Sequence, residues 1–582
     1  MPEYELLIKN GTIVEGTRIP AFKGDIGING GRITAMGNLT GSAARVLDAT
    51  GLIVAPGFID IHTHYDAALS GGTKWDPYAS LSGWHGVTTV AIGNCGFGFA
   101  PVKPEDRERA MRRMERTESI PLSCMQAGMR WDWVTFPEFL NSLGKGELGV
   151  NAASLMPYSP LRAFVMGNEA ARDPEYTPSG DELATIKHLL REGLKAGGFG
   201  FSGTFSMANR DYDGGYLPTH VVRREEMLEM AKVVGEFNRG SIEWTIGRSL
   251  HGLDLEFLHE MAKVSGRPLN WNAVFYNPAD PDGWKEQLKW CEKAYPQAPI
   301  FPVDICMPLD REFRFESIGL FDDLPAFNEA TQGTFEERKG KLADPGRREA
   351  LRRDADRPRR MITFAKKEGE AGQIGRFNFK EMYIEPALEK NKRFDGRTVA
   401  EVATELGKHP VDVMLDLAVE ENLQTEFSMA GDLNNNEEAL GQIVKHPLAL
   451  VGASDGGAHT KFLTAGSYPT HFLTKWVRDK QLMSLEEAHW RLSTMVGWAI
   501  GIRDRGCLRE GMPADIVVYD LEKLSLRPTE TVRDLPDGDW RRVRRADGYR
   551  YTIVNGQVTF EDNTCTGALP GKMLRSGDQT GA

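Results

Sequence analysis

A chain of 582 residues, 41% hydrophobic and 26% charged, has the composition of an ordinary globular protein, with material for roughly two to four domains or one large barrel with additions. Its net charge of -12 and pI of about 5.6 exclude the basic stripe of a general nucleic-acid binder. Six cysteines without regular spacing, no secretory leader in "MPEYELLIKNGTIVEG" and no long apolar run point to a cytoplasmic protein with neither a disulfide framework nor a membrane span.

The first 55 residues read as short strands. "YELLIKNGTIVEG" alternates and is expected to turn at Asn10-Gly11, "GDIGINGGRITAMG" is a hairpin about Asn29-Gly30-Gly31, and "GLIVAP" is a further apolar run. From "GFIDIH" onward the pattern becomes strand, then helix. The strands are "GVTTVAIGN", "VNAASLMPY", "FGFSGTF", "SIEWTIG", "RPLNWNAV", "APIFPVDI" and "LALVGASDGG". Amphipathic helices such as "ELATIKHLLREGLKAG", "REEMLEMAKVVGEFNRG" and "LDLEFLHEMAKVSG" alternate with several of them. About eight strands in such a series imply a (β/α)8 TIM-like barrel; an open doubly wound sheet is the alternative.

Residues from about 308 to 430 break the rhythm and read as a lid-like insertion on the catalytic face. The basic run from Glu337 to Arg360 is interleaved with acids and reads as a solvated helical face. "ADIVVYD" and "RYTIVNGQVTFED" return to strands, which are expected to pair with the N-terminal ones in a small β-sandwich. The expected organisation is 1–55 sandwich, 56–505 barrel, 506–566 sandwich, and 567–582 a disordered tail.

His62 and His64 are two apart on one strand, so both side chains leave the same face. In a barrel that is the interior, at the end where such enzymes keep their chemistry. Imidazole nitrogen is a zinc ligand. Cys95 ends the next strand in the glycine-lined loop "GNCGFG" and reads either as a small buried hydrophobe or as a thiolate ligand. Asp455 ends the last strand and reads either as a helix N-cap or as a carboxylate beside a metal-bound water. His85 precedes its strand and reads as structural. Arg210, Arg223 and Arg248 are candidate carboxylate clamps, and Trp75, Trp84, Phe97 and Phe99 candidate walls of an apolar pocket.

"VAPGFIDIHTHYD", "GVTTVAIGNCGFGFAPV", "SDGGAH", "GCLREGMPADIVVYD" and "YTIVNGQVTFED" together resemble the amidohydrolase superfamily, in its N-acyl-D-amino-acid deacylase (D-aminoacylase) branch, over nearly the whole chain. The resemblance implies His62, His64 and Cys95 as metal ligands, with Asp455 as catalytic acid/base and a further ligand. The chain departs from that pattern on strands five and six. Where the family carries histidines, "WTIGR" has Thr245 and Ile246, and "NWNAV" has Asn272 and Ala273. Glu243, His220, His251, Asn272 and His459 are the candidates to complete the site, with Asn270 a further polar residue on strand six. The implied function is metal-dependent hydrolysis of a linear amide, an N-acyl amino acid. The implied cofactor is zinc, as one ion or two, with another divalent metal as the alternative. The expected partner is a small-molecule substrate, with no nucleic acid and no membrane; a homo-oligomer is left open. The alternatives are hydrolysis of another bond (N-formyl amide, carbamate, cyclic amide or carbon–carbon) and an inactive barrel serving as a binding subunit.

Overall fold

The computed structural model describes residues 2–145, 147–278, 280–316, 321–322, 324–356 and 377–578. Both ends of the chain enter one nine-stranded sheet. Ile53–Pro56 pairs antiparallel with Ile516–Tyr519, which pairs in turn with Tyr549–Val554. On the other side Ile53–Pro56 runs beside Tyr4–Ile13, which is antiparallel to Phe22–Asn29. The period-two alternation explains the pairing: Ile8, Ile26, Ile28, Val54, Ile516, Val518 and Ile553 form one buried cluster.

Two expectations about the termini are corrected. Asn10-Gly11 is not a turn. Tyr4–Ile13 runs through it as one strand, with a register shift between Ile8 and Gly11. Asn10 takes φ 63°, and its N–H donates to Asp25 Oδ1 at 2.8 Å, so the left-handed residue serves a bulge. The tail is ordered as far as it is described. Met573 and Leu574 are buried, and Gly571 and Leu574 donate N–H bonds to Leu148 O and Ala152 O, each 2.7 Å. Residues 579–582 lie outside the described residues.

The middle of the chain supplies parallel strands in chain order. Phe58–Asp60, Val87–Ile92 and Asn151–Ser154 pair as one set. Met156–Pro157, Gly200–Thr204, Ser241–Thr245, Leu269–Val274, Ile300–Asp304 and Leu450–Val451 pair as a second. Ala453–Gly456 then pairs with His62–Thr63, so the last strand meets the first. Val87–Ile92 is buried at every position, as a parallel strand covered on both faces should be. Helices Gly180–Lys195, Arg224–Gly235, Leu255–Ser265, Gly283–Ala294 and Glu437–Lys445 alternate with the strands. Among the described residues no helix is long and apolar enough to cross a membrane.

The segment that breaks the rhythm has its own core. Leu309–Phe313 and Met382–Glu385 both pair antiparallel with Glu426–Leu433. Phe313, Phe315, Phe321, Phe327, Phe427 and Met414 pack together beneath short helices. The basic run forms helices Phe335–Ala343 and Arg348–Asp356, which bury Leu342 and Leu351 while Arg348 pairs with Asp416 at 3.0 Å. Its last residues, 357–360, lie outside the described residues.

His85 is structural, as expected: Nδ1 meets Thr470 Oγ1 and Nε2 meets Arg544 O, each at 2.7 Å. His489 Nε2 meets Tyr519 Oη at 2.8 Å, joining a helix to the terminal sheet. Burial pushes His85 down to about 4 and His489 to about 3. Both folded values lie below the unfolded value of about 6.5, so below that pH the unfolded chain binds more protons. Their contribution is complete above about pH 6.5 and is lost as the pH falls through the folded values. The thermal midpoint is therefore expected to drop on acidification from about pH 6.5 to about 4, and less steeply in His85→Gln. Equal slopes would contradict the neutral, doubly bonded imidazole.

Candidate metal centre

The loop after Val87–Ile92 places the thiol. Gly93 takes φ 77°, and a Cβ there would lie 2.2 Å from Leu155 O, so the turn excludes a side chain. Cys95 itself takes φ 58°. Its N–H donates to Glu243 Oε2 at 2.8 Å, and its Sγ lies 3.4 Å from His62 Nε2 and 3.1 Å from Thr245 Oγ1. The His62 and His64 rings meet edge to face with centroids 5.4 Å apart. The ligand atoms of His62, His64 and Cys95 all lie within 4.8 Å of one another. Asp455 comes from the other end of the chain with φ 49°; its Oδ1 is 3.2 Å from His62 Nε2 and 3.8 Å from His64 Nε2.

The electrostatics follow from burial. Desolvation opposes charge on His62, but Asp455 and Glu243 outweigh it and raise its pKa. Desolvation likewise opposes the Asp455 carboxylate, and His62 outweighs it, holding Asp455 well below the usual range. Burial, with His62 beside it, pushes His64 down to about 3, so its imidazole is neutral at neutral pH. Burial, with Glu243 nearby, pushes the Cys95 thiol far up. Burial also raises Glu243 to about 7 and Glu118 well above the carboxylate range. Two imidazoles, a thiol and a carboxylate are thus crowded where anionic forms are costly. A divalent cation offsets that cost and selects the deprotonated ligands. The nitrogen, sulfur and oxygen donors fit an ion of the zinc type.

The cluster opens into a cavity of about 240 Å³. Ile246, Phe275, Ile305, Phe462 and Leu463 line its apolar wall, and Leu309, Arg311 and Leu433 reach it from the segment with its own core. Arg116 anchors that segment: it donates to Asp322 Oδ2 at 2.7 Å and to Thr331 O at 2.9 Å.

Of the further candidates, Glu243, Asn272 and His459 are at the site. Glu243 Oε1 accepts from Asn272 Nδ2 and lies 3.7 Å from His62 Nδ1. His459 lines the cavity. His220 does not join the site: its Nε2 meets Ser206 O at 2.9 Å and its Nδ1 accepts from Leu217 N–H at 3.3 Å. His251 is outside the cavity lining as well. Neither Arg210, Arg223 nor Arg248 lines the cavity; Arg223 donates to Pro174 O. Trp84, Phe97 and Phe99 are buried core residues, with Trp75 packed against them, so the expected aromatic wall is not theirs. Sequence reasoning missed Glu118, Arg116 and Arg311, which line the cavity. Glu118 carried one signal. It is an acid at the last position of the helix Arg107–Glu118, where the helix dipole disfavours negative charge.

The amidohydrolase family model matches residues 45–560, and the chain belongs to that family. The protein is a hydrolase acting on carbon–nitrogen bonds other than peptide bonds. It is similar to the D-aminoacylase of Alcaligenes xylosoxydans xylosoxydans, 26% identical over 592 residues, covering 98% of this chain and 97% of that one. The N-acyl-D-aspartate deacylase of the same organism is also 26% identical, covering 99% and 96%. Among solved structures, N-acyl-D-glutamate deacylase from Bordetella bronchiseptica, complexed with zinc and a phosphonate inhibitor, matches with a TM-score of 0.66 at 22% identity, covering 98% and 99%. A crystal structure of D-aminoacylase matches with a TM-score of 0.64 at 22% identity, covering 98% and 100%.

Gly93→Ala is expected to lower stability by at least about 1 kcal/mol, because the new Cβ must displace a backbone carbonyl and adopt a left-handed φ. Urea denaturation reads the loss. An unchanged midpoint would contradict the placement of Cys95 by this turn.

Proposed function

We propose that the protein is a metal-dependent hydrolase of a linear amide, an N-acyl amino acid of the kind D-aminoacylases act on. The observation that carries this reading is the convergence of His62, His64 and Cys95 on one point, with Asp455 Oδ1 3.2 Å from His62 Nε2 at the edge of the cavity. His62, His64, Cys95 and Asp455 would hold the ion, zinc by the chemistry of its donors. When bound, such an ion polarises a carbonyl and lowers the pKa of water to about 7.

The chain's own residues supply the rest. Asp455 is the acid/base: kept ionised by His62, it accepts the proton of the attacking water and returns it to the leaving nitrogen. Thr245 and Glu243 hold Cys95 in place by its sulfur and its N–H. The apolar wall fits an acyl chain and excludes bulk water.

The architecture proposed with this function is a closed (β/α)8 barrel over 56–505, with an inserted lid over about 308–430 and a small β-sandwich built from 1–55 and 506–566. It is supported by the parallel strands following in chain order until the last pairs with the first, and by the sheet that both ends of the chain share. The separate core of the insertion and its residues over the cavity support the lid.

Metal-loaded protein tested on N-acetyl, N-formyl and longer N-acyl D- and L-amino acids is expected to release free amino acid from N-acyl D-amino acids. Chelation is expected to abolish turnover, and Asp455→Asn to lower kcat by about 10²–10⁴-fold. Cleavage of N-formyl amides alone would move the assignment to that bond. No turnover on any member would contradict the substrate class.

A further inference from the structure

Strands five and six lack the histidines of the family pattern, yet the face they turn inward is polar. Glu243 and Thr245 are two apart on Ser241–Thr245, and Asn270 and Asn272 are two apart on Leu269–Val274, so each pair leaves one face of its strand. The register sets Glu243 beside Asn270 and Thr245 beside Asn272. The next residues along, Ile246 and Ala273, give the cavity apolar surface.

Glu243 is 3% exposed, and its two oxygens face two ligands. Oε2 accepts the Cys95 N–H at 2.8 Å. Oε1 faces His62 Nδ1 at 3.7 Å and is held by the Asn272 amide, which donates to it. The other His62 nitrogen serves the metal side: Nε2 is 3.4 Å from Cys95 Sγ and 3.2 Å from Asp455 Oδ1.

His62 Nδ1 is buried and has no hydrogen-bond partner among the described residues. Beneath it the barrel leaves a cavity of only about 10 Å³, lined by His62, Ser154, Glu243, Asn270, Asn272 and apolar side chains, so bulk water does not reach Nδ1. A neutral imidazole carries its proton on one nitrogen and a lone pair on the other. A metal needs the lone pair on Nε2, which puts the proton on Nδ1, and the acceptor facing Nδ1 fixes that tautomer. Glu243 is the carboxylate placed to receive it.

We propose that Glu243 is a positioning residue for the metal's ligands. Through Oε1 it holds His62 with Nε2 bare, through Oε2 it fixes the loop that carries Cys95, and Asn272 keeps it in place. Strands five and six thus support the ligands of the first two strands and supply none of their own. The inference rests on the metal assignment made under the proposed function.

Zinc affinity, measured by competition with a chromophoric chelator, tests this beside the thermal midpoint of the metal-free protein. In Glu243→Gln the amide oxygen still accepts the Cys95 N–H, but the amide nitrogen then faces His62 and cannot accept from Nδ1. This variant is expected to keep the metal-free midpoint and to bind zinc about 10–100-fold more weakly. Loaded with cobalt(II), it should keep the thiolate-to-cobalt absorption of Cys95, because every ligand is still present. Asn272→Ala is expected to weaken zinc binding in the same direction, by less. In zinc-loaded wild type, isotope-labelled at histidine nitrogen, a slowly exchanging proton is expected on His62 Nδ1 and should be lost in Glu243→Gln. Wild-type zinc affinity in both variants overturns the inference and leaves the metal assignment standing. Wild type that binds no zinc and shows no thiolate band overturns the metal assignment and this inference with it.

Discussion

The parallel pairing of His62–Thr63 with Ala453–Gly456 brings the first and last strands of the parallel series side by side. His64 N–H donates to Gly456 O at 2.7 Å. Ser454 Oγ donates to Asp60 Oδ2 at 2.7 Å, and Ser82 Oγ donates to the same oxygen at 3.0 Å. Gly457, at φ 91°, passes so close over His64 that a Cβ would lie 2.9 Å from its carbonyl carbon. Closing so long a loop costs entropy. The terminal sheet shares that cost, because Ile53–Pro56, just before the first of these segments, pairs with Ile516–Tyr519, which follows the second after a run of helices. The histidines and Asp455 meet because two independent pairings hold the ends of the intervening chain together.

The assembled site concentrates groups that burial would keep neutral. Glu118 and Glu243 are buried beside His62 and His64, with Cys95 and Asp455 lining the cavity next to them. In a purely structural core such a set would be replaced by apolar residues at no loss of stability. The backbone carries the same mark, since Cys95, Asp455 and His459 all adopt left-handed φ values of 58°, 49° and 50°. Strain and buried charge at one place are the features expected where stability gives way to function.

Much of this was legible in the sequence because it is written in local periodicity. Strand and helix patterns placed the parallel series, and the i, i+2 spacing of His62 and His64 put both on one face. Cys95 and Asp455 followed as residues ending strands. What local pattern could not carry was the use of a residue by distant neighbours. Glu118 sits among many charged residues in "RERAMRRMERTES", and that run does not show which of them are buried; its neighbour Arg116 is held by Asp322 and Thr331 from more than two hundred residues away. His220 read as a candidate ligand, yet both of its ring nitrogens are taken by backbone groups in its own loop. Asn10-Gly11 carries a turn signature, but Asp25 on the neighbouring strand turns it into a bulge.

X-ray absorption at the zinc edge, on protein loaded with one equivalent of zinc, tests the central claim most directly. The account predicts one sulfur neighbour at about 2.3 Å, from Cys95, with nitrogen and oxygen neighbours at about 2.0–2.2 Å. A shell of nitrogen and oxygen alone would contradict it, because Cys95 would then be a packing residue and not a ligand.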